Sequence, residues 1–209
     1  MAPSPSPTQS SETRFTITIV ECGDVLLQSR KLQEQDTAVE LLVASQILSI
    51  TSPVFKAMFQ RGLAEGQGLS AATLKEVPLP VGDATLVTIL CNVFHMASHA
   101  LPTKMDPKSL ADFAVLCDKY DCKDAVELTA RVWCIGIIPD LTVSVEGLAT
   151  VLFTTWVLDL PKEFHQVNRT LLRDRTGTIP AKVAAHSSDS FPWKLSIVRN
   201  RITDLTPMK

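Results

Sequence analysis

Ala44-Ser45-Gln46-Ile47-Leu48-Ser49-Ile50-Thr51-Ser52-Pro53-Val54-Phe55-Lys56-Ala57-Met58-Phe59 reads as two short helices that abut at a Ser-Pro joint. Ser45 can cap a first turn containing Ile47, Leu48 and Ile50, and Ser52 with Pro53 is an N-cap and first-position pair that opens a second. Val54, Phe55, Met58 and Phe59 recur at i, i+1, i+4, i+5, which puts a bulky stripe on one helix face. An ordinary pair of core helices has the same periodicity. Directly upstream, residues 39–43 are apolar enough for a central strand feeding the Ser45 helix. Earlier still, Phe15, Ile17 and Ile19 alternate with Thr16 and Thr18. The turn Glu21-Cys22-Gly23-Asp24 then leads into Val25, Leu26 and Leu27, so the spacing predicts a β-hairpin, followed by a polar loop over 28–37.

Downstream, residues 62–72 hold three glycines and read as a loop, and Glu76-Val77-Pro78-Leu79-Pro80 reads as a short edge strand. Asp83 caps a helix whose Leu86, Ile89, Leu90, Val93, Phe94 and Ala97 form an amphipathic stripe. Asp106-Pro107 starts another, with Leu110, Phe113, Ala114 and Cys117 facing inward as far as Tyr120. Asp121 is expected to start the next, with Ala125, Leu128, Val132 and Ile135 inward. Pro139 ends that run. A second helical pair follows at 145–158 and 161–173, the latter with Phe164, Val167 and Leu171 on one face. The organisation predicted is a disordered Pro/Ser tail over 1–13, a first domain over 14–136, a helical extension over 139–176 and a loosely docked tail over 177–209. The only apolar segment of that last tail is Trp193 to Ile202.

With 209 residues, 45% hydrophobic and 20% charged, the chain can bury a core, and its formal charge of −2 offers no field for nucleic acid or anionic lipid. Cys22, Cys91, Cys117, Cys122 and Cys134 are an odd number without framework spacing, which fits reduced thiols in the cytosol or nucleus. The first twelve residues lack the apolar core of a secretory signal. Residues 141–160 come nearest to a membrane span, but Glu146 and Asp159 interrupt them and helical periodicity explains their hydrophobicity better. The Asn168-Arg169-Thr170 sequon is then accidental, since glycosylation requires secretion.

The element order, strands followed by a helix pair, an edge strand and three more helices, resembles the BTB/POZ fold. Gly23-Asp24-Val25-Leu26-Leu27 is similar to the family's Asp-Val strand, and the Ser45 to Phe59 stretch is similar to its helix pair. Ile89 to His95, Leu101-Pro102, Leu110, Phe113 to Leu116 and Asp118 to Cys122 resemble a branch abundant in fungi. Trp156-Val157-Leu158, Phe164 and Arg169 to Leu172 resemble the helical extension that follows the domain in that branch. The fold expected is therefore α+β: a small mixed sheet capped by a helical cluster, followed by a helical extension. The resemblance implies a non-enzymatic adaptor or self-associating scaffold, inside the cell, for cullin-type ubiquitin-ligase scaffolds or transcriptional cofactors. It also implies docking on the exposed side of residues 52–60, the 61–72 loop and the 103–112 segment, which singles out Met58, Phe59, Arg61, Lys104, Met105 and Asp106. The chain departs from the family where Val43-Ala44-Ser45 replaces Ala-His and a basic residue, so the family's buried acid–base pair is not open to Asp24. The leading helix is missing from 1–13, and Met105-Asp106-Pro107 replaces a hydrophobic-x-Glu signature.

Catalytic and metal readings have little to stand on. Cys91, His95 and His99 stand at i, i+4, i+8 on one predicted helix, with Cys117 and Cys122 on neighbouring elements. No short Cys-x-x-Cys knuckle preorganises two ligands, so buried thiols and solvated histidines are the simpler reading, and no metal or cofactor is expected. No Gly-x-Ser-x-Gly elbow, His-Glu-x-x-His pair or phosphate loop is present in the sequence. At the joint of Asp118, Lys119, Tyr120 and Asp121, a cap and a packed tyrosine account for the residues better than a contact role. An alternative to the adaptor is a regulatory subunit whose 141–209 region binds a ligand or enzyme, with the first domain purely structural.

Overall fold

Each strand expected from alternation forms, but the pairing differs. The computed structural model describes residues 13–30, 37–60, 74–79, 83–140 and 143–174. Residues 1–12 of the leading tail, the 61–72 loop and the 177–209 tail lie outside these. Strands β1 (Thr13–Thr18), β2 (Val25–Arg30), β3 (Thr37–Val43) and β4 (Lys75–Pro78) make a four-stranded mixed sheet in the order β1-β3-β2-β4. β3 runs parallel to β1, with Phe15 opposite Val39, and antiparallel to β2, with Leu27 opposite Leu41. β4 pairs in parallel with β2, at the edge.

The predicted β1–β2 hairpin is thus corrected: β3 lies between them. The link from Ile19 to Asp24 explains why. Ile19 and Val20 N–H groups donate to the Leu42 carbonyl, and Asp24 N–H donates to the Val43 carbonyl, so the turn wraps the end of β3. Gly23 is required in that wrap, because a Cβ there would meet Leu42 side-chain carbons at 2.8 Å and the Val43 carbonyl at 2.9 Å. Val39, Leu41 and Val43 are buried, and flanking β3 on both sides satisfies the backbone of the most apolar strand.

Helices α1 (Ser45–Thr51), α2 (Pro53–Met58) and α3 (Ala84–Phe94) complete the first of two compact units, Met1–Ala100. Ser52 caps α2 as read, its Oγ accepting the Phe55 N–H at 3.1 Å, and Asp83 caps α3 by accepting the Thr85 N–H at 2.8 Å. Ser45 does not cap α1. Ala44 occupies that position, and Asp24 supplies the acceptor from outside the helix. The α3 stripe is rotated from the one expected: Val87, Leu90, Cys91 and Phe94 are buried, whereas Leu86, Ile89 and Val93 are half-buried. The helix ends at Phe94, so Ala97 lies beyond it.

The second unit, Leu101–Lys209, contains α4 (Pro107–Lys119), α5 (Lys123–Ile137), α6 (Val145–Val157) and α7 (Pro161–Asp174). α4 packs against α5 and α6, and α7 against α6 and α5. Asp106 caps α4 as read, and Leu110, Phe113, Ala114, Cys117 and Tyr120 are buried. In α7, Val167 and Leu171 are buried as read and Phe164 is half-buried.

α5 departs from its reading. Val126, Ala130, Trp133, Cys134 and Ile137 face inward, while all four residues read as inward, Ala125, Leu128, Val132 and Ile135, are exposed. Two apolar stripes compete on this helix, and the one that wins carries the tryptophan. Trp133 meets the Phe113 ring edge-on at 5.5 Å and donates its Nε1–H to the Pro102 carbonyl at 2.8 Å, burying a large ring with its polar atom satisfied. Asp121 does not cap α5; it sits at φ 48°, a left-handed turn that aspartate tolerates, and Cys122 takes the N-cap position. Residues 145–157 of the apolar run form a helix of 13 residues, and among the described residues no helix is long and apolar enough to cross a membrane.

Candidate interaction surface

The residues singled out from the sequence divide between the two units. Met58 and Phe59 belong to the first, and Lys104, Met105 and Asp106 to the second. Arg61 lies outside the described residues. Phe59 is only 7% exposed and stacks on Phe55 with ring centroids 6.0 Å apart; Met58 is half-buried. The outward placement expected of Phe59 is therefore corrected: stacking on Phe55 draws the ring inside. Met105, at 8% exposure, is likewise interior. Lys104 and Asp106 are exposed. Asp106 is engaged structurally, its Oδ1 accepting the Lys108 and Ser109 N–H groups at 3.0 Å each. Hydrogen bonds from Ser109, side chain first and then backbone, hold its carboxyl below the ordinary value.

The metal-like constellation does not assemble on one helix. Cys91 is buried, His95 is the C-cap of α3, and His99 lies in a separate 3-10 turn, Ser98–Ala100. Both ring nitrogens of His95 are engaged: Nε2 accepts the Ala44 N–H at 3.1 Å, so Nδ1, 2.8 Å from the Cys91 carbonyl, carries the proton. Burial lowers its pKa, against an opposing effect of the Cys91 bond. Among the described residues no group of three or more His, Cys, Asp or Glu side chains is placed to hold a metal.

Between α5 and α7, Arg131 Nε lies 3.1 Å from Glu163 Oε1, and its Nη2 donates to Glu127 at 2.7 Å. Glu163 is buried. Cys134 is pushed up to about 12 by burial and then by the Glu163 charge, which keeps it a thiol.

The side chains that the fold leaves uncovered are different ones. On one face of the sheet, Glu40 of β3 accepts from Arg14 Nη1 at 3.4 Å, Thr16 Oγ1 at 3.3 Å and Gln28 Nε2 at 3.3 Å, and Gln28 also reaches Glu76 at 2.7 Å. This polar ladder crosses all four strands and fastens β1 to the sheet. It also fixes the opposite face of β1, where Phe15 and Ile17 pair in register with the buried Val39 and Leu41. Yet Phe15 is 55% and Ile17 40% exposed. An apolar ledge results, at a sheet edge. Strand alternation does name both residues, but their exposure depends on what covers β1, and that is absent from the local sequence.

The chain matches no protein-family model, and no curated protein is significantly similar to it.

Proposed function

We propose that this chain is a non-enzymatic protein-interaction module, an adaptor or self-associating scaffold of BTB/POZ type that serves ubiquitin-ligase or transcriptional assemblies. The observation that carries the reading is the ledge of Phe15 and Ile17 on edge strand β1. An edge strand presents unpaired backbone groups, and two large apolar side chains beside them favour protein over solvent. The Glu40 ladder holds that strand flat against the sheet, so the surface is preorganised and loses little entropy on association. The element order supports the family assignment: a helix pair after the third strand, then a parallel edge strand and further helices. Intracellular placement, in cytosol or nucleus, belongs to the same proposal.

Size-exclusion chromatography with light scattering, alongside calorimetric titration of a cullin-type scaffold domain, tests it. Self-association or scaffold binding in the wild type, lost in Phe15→Asp/Ile17→Asp with the melting transition kept, is the expected result. A monomer that binds no such scaffold, or a purified chain that turns over a small molecule through one polar side chain, overturns it.

A further inference from the structure

The fold leaves β1 open along one edge. Arg14 through Thr18 are all exposed, and β1 ends the sheet order β1-β3-β2-β4. At the opposite edge, β4 is short and carries Lys75, Glu76 and Pro78, charges and a proline that discourage a further strand. Phe15-Thr16-Ile17-Thr18-Ile19 has neither a charge nor a proline. Of the two edges, only that of β4 is closed to pairing by its own residues.

One hydrogen bond fixes which backbone groups point outward. The Ile19 N–H donates to the Leu42 carbonyl of β3 at 3.0 Å, and backbone groups alternate in direction along a strand. Phe15, Ile17 and Ile19 thus turn theirs toward β3, and Thr16 and Thr18 turn theirs to the open edge. After Ile19 the chain turns over the end of β3, with the Val20 N–H also on the Leu42 carbonyl at 3.3 Å, and so leaves that edge clear.

The stretch is close to a palindrome about Ile17, and that selects a second copy of this chain as the occupant. A two-fold axis at Ile17, normal to the sheet, sets Ile17 opposite Ile17, Phe15 opposite Ile19 and Thr16 opposite Thr18 of the second copy. Apolar side chains then meet on the face that continues from the buried Val39 and Leu41, and threonines meet on the other. Thr16 and Thr18 exchange their outward N–H and C=O groups with Thr18 and Thr16 of the second copy, as the hydrogen-bonded pairs of an antiparallel ladder do. No like charges are set together: the two Arg14 positions fall about 20 Å apart, beyond the roughly 8 Å screening length. Centring on Thr16 instead leaves Ile19 unmatched and sets Arg14 against Thr18.

We infer that β1 pairs antiparallel with β1 of a second copy, centred on Ile17, and so extends the sheet across both chains. The inference rests on the reading of the Phe15 and Ile17 ledge as a protein-binding surface and names its occupant. To test it, the full chain carrying Ile17→Cys, with Cys22→Ser to remove the exposed native thiol, is incubated with oxidised glutathione. Opposed Ile17 positions, about 4.5 Å apart at Cα, lie within disulfide range, whereas the two Phe15 positions, about 14 Å apart, do not. The expected result is a covalent dimer from Ile17→Cys, none from Phe15→Cys alone, and one again when Phe15→Cys and Ile19→Cys chains are mixed. Thr16→Pro supplies a reading without cysteine chemistry. The N–H it removes points away from β3, so the melting transition should stay while the dimer dissociation constant rises at least about tenfold. No link at position 17 with the melting transition intact, equal linking by Phe15→Cys alone, or an unchanged dimer in Thr16→Pro overturns the inference. A monomer that still binds the cullin-type scaffold through the ledge overturns the self-pairing and leaves the docking reading in place.

Discussion

Asp24 Oδ1 accepts the Ser45 backbone N–H at 2.7 Å while its Oδ2 accepts the Ser45 hydroxyl at 2.6 Å, so a residue preceding β2 caps a helix that follows β3. The bond spans 21 positions of sequence and joins the start of one strand to the end of its neighbour. Helix α1 has no cap of its own, and both bonds to the carboxylate are charge-assisted. Asp24→Ala is expected to cost about 2 kcal/mol in urea unfolding and Ser45→Ala about 1 kcal/mol. The double variant should cost less than the sum, because both singles break the same contact. Strict additivity would show that the two residues act separately.

His95 makes stability depend on pH. Burial lowers its folded pKa below the unfolded value of 6.5, and Nε2 must stay unprotonated to accept the Ala44 N–H. The unfolded chain therefore takes up this proton first as pH falls. Stability should be full above pH 6.5 and decline through and below it, levelling off once the folded state also protonates. Urea midpoints from pH 8 to 5 check this, with His95→Gln flattening that part of the profile. A wild-type midpoint that stays constant, or rises, on acidification contradicts the assignment.

The two stripes of α5 separate cleanly by mutation. Leu128→Glu and Val132→Glu should change stability by no more than about 0.5 kcal/mol, since both side chains are exposed. Trp133→Ala should cost about 3–5 kcal/mol, through the lost ring and the orphaned Pro102 carbonyl. The reverse ranking in thermal melts would restore the inward stripe expected from periodicity alone.

Phe59→Ala removes a ring from the interior and should cost about 3–4 kcal/mol, whereas Lys104→Ala should be neutral within about 0.5 kcal/mol. Binding losses in Phe59→Ala therefore need to be read against its melting curve. Intact stability in that variant would return Phe59 to the surface.

Removing Arg131 strands a buried carboxylate. Arg131→Met should cost about 2–3 kcal/mol, below the range for a fully buried pair because the arginine is partly exposed, and Arg131→Met/Glu163→Leu should recover most of it. Calorimetric melts of the three proteins decide the matter. A double variant no better than the single would mean that Glu163 is stabilised by something other than Arg131.

Local chemistry made much of the molecule readable in advance. Ser52-Pro53, Asp83 and Asp106-Pro107 start their helices where the sequence places them, because a cap is a bond between residues two or three apart. The strand segments follow equally from alternation and β-branched content. The candidate surface was far less legible. Phe59 and Met105 read as outward but are buried, and Leu128, Val132 and Ile135 read as inward but are exposed. Periodicity identifies a stripe without saying which neighbour arrives to cover it.

The sequence by itself determined which segments become strand or helix and where most helices begin, since those choices rest on backbone preferences and hydrogen bonds within a few residues. Tertiary structure alone decided that β3 separates β1 from β2, that Asp24 caps α1, that Trp133 outcompetes the Leu128 stripe for the interior of its unit, and that β1 keeps Phe15 and Ile17 uncovered. Each of these outcomes compares contacts between residues distant in sequence, where the gain from burying one surface is weighed against another, and no local pattern encodes that difference.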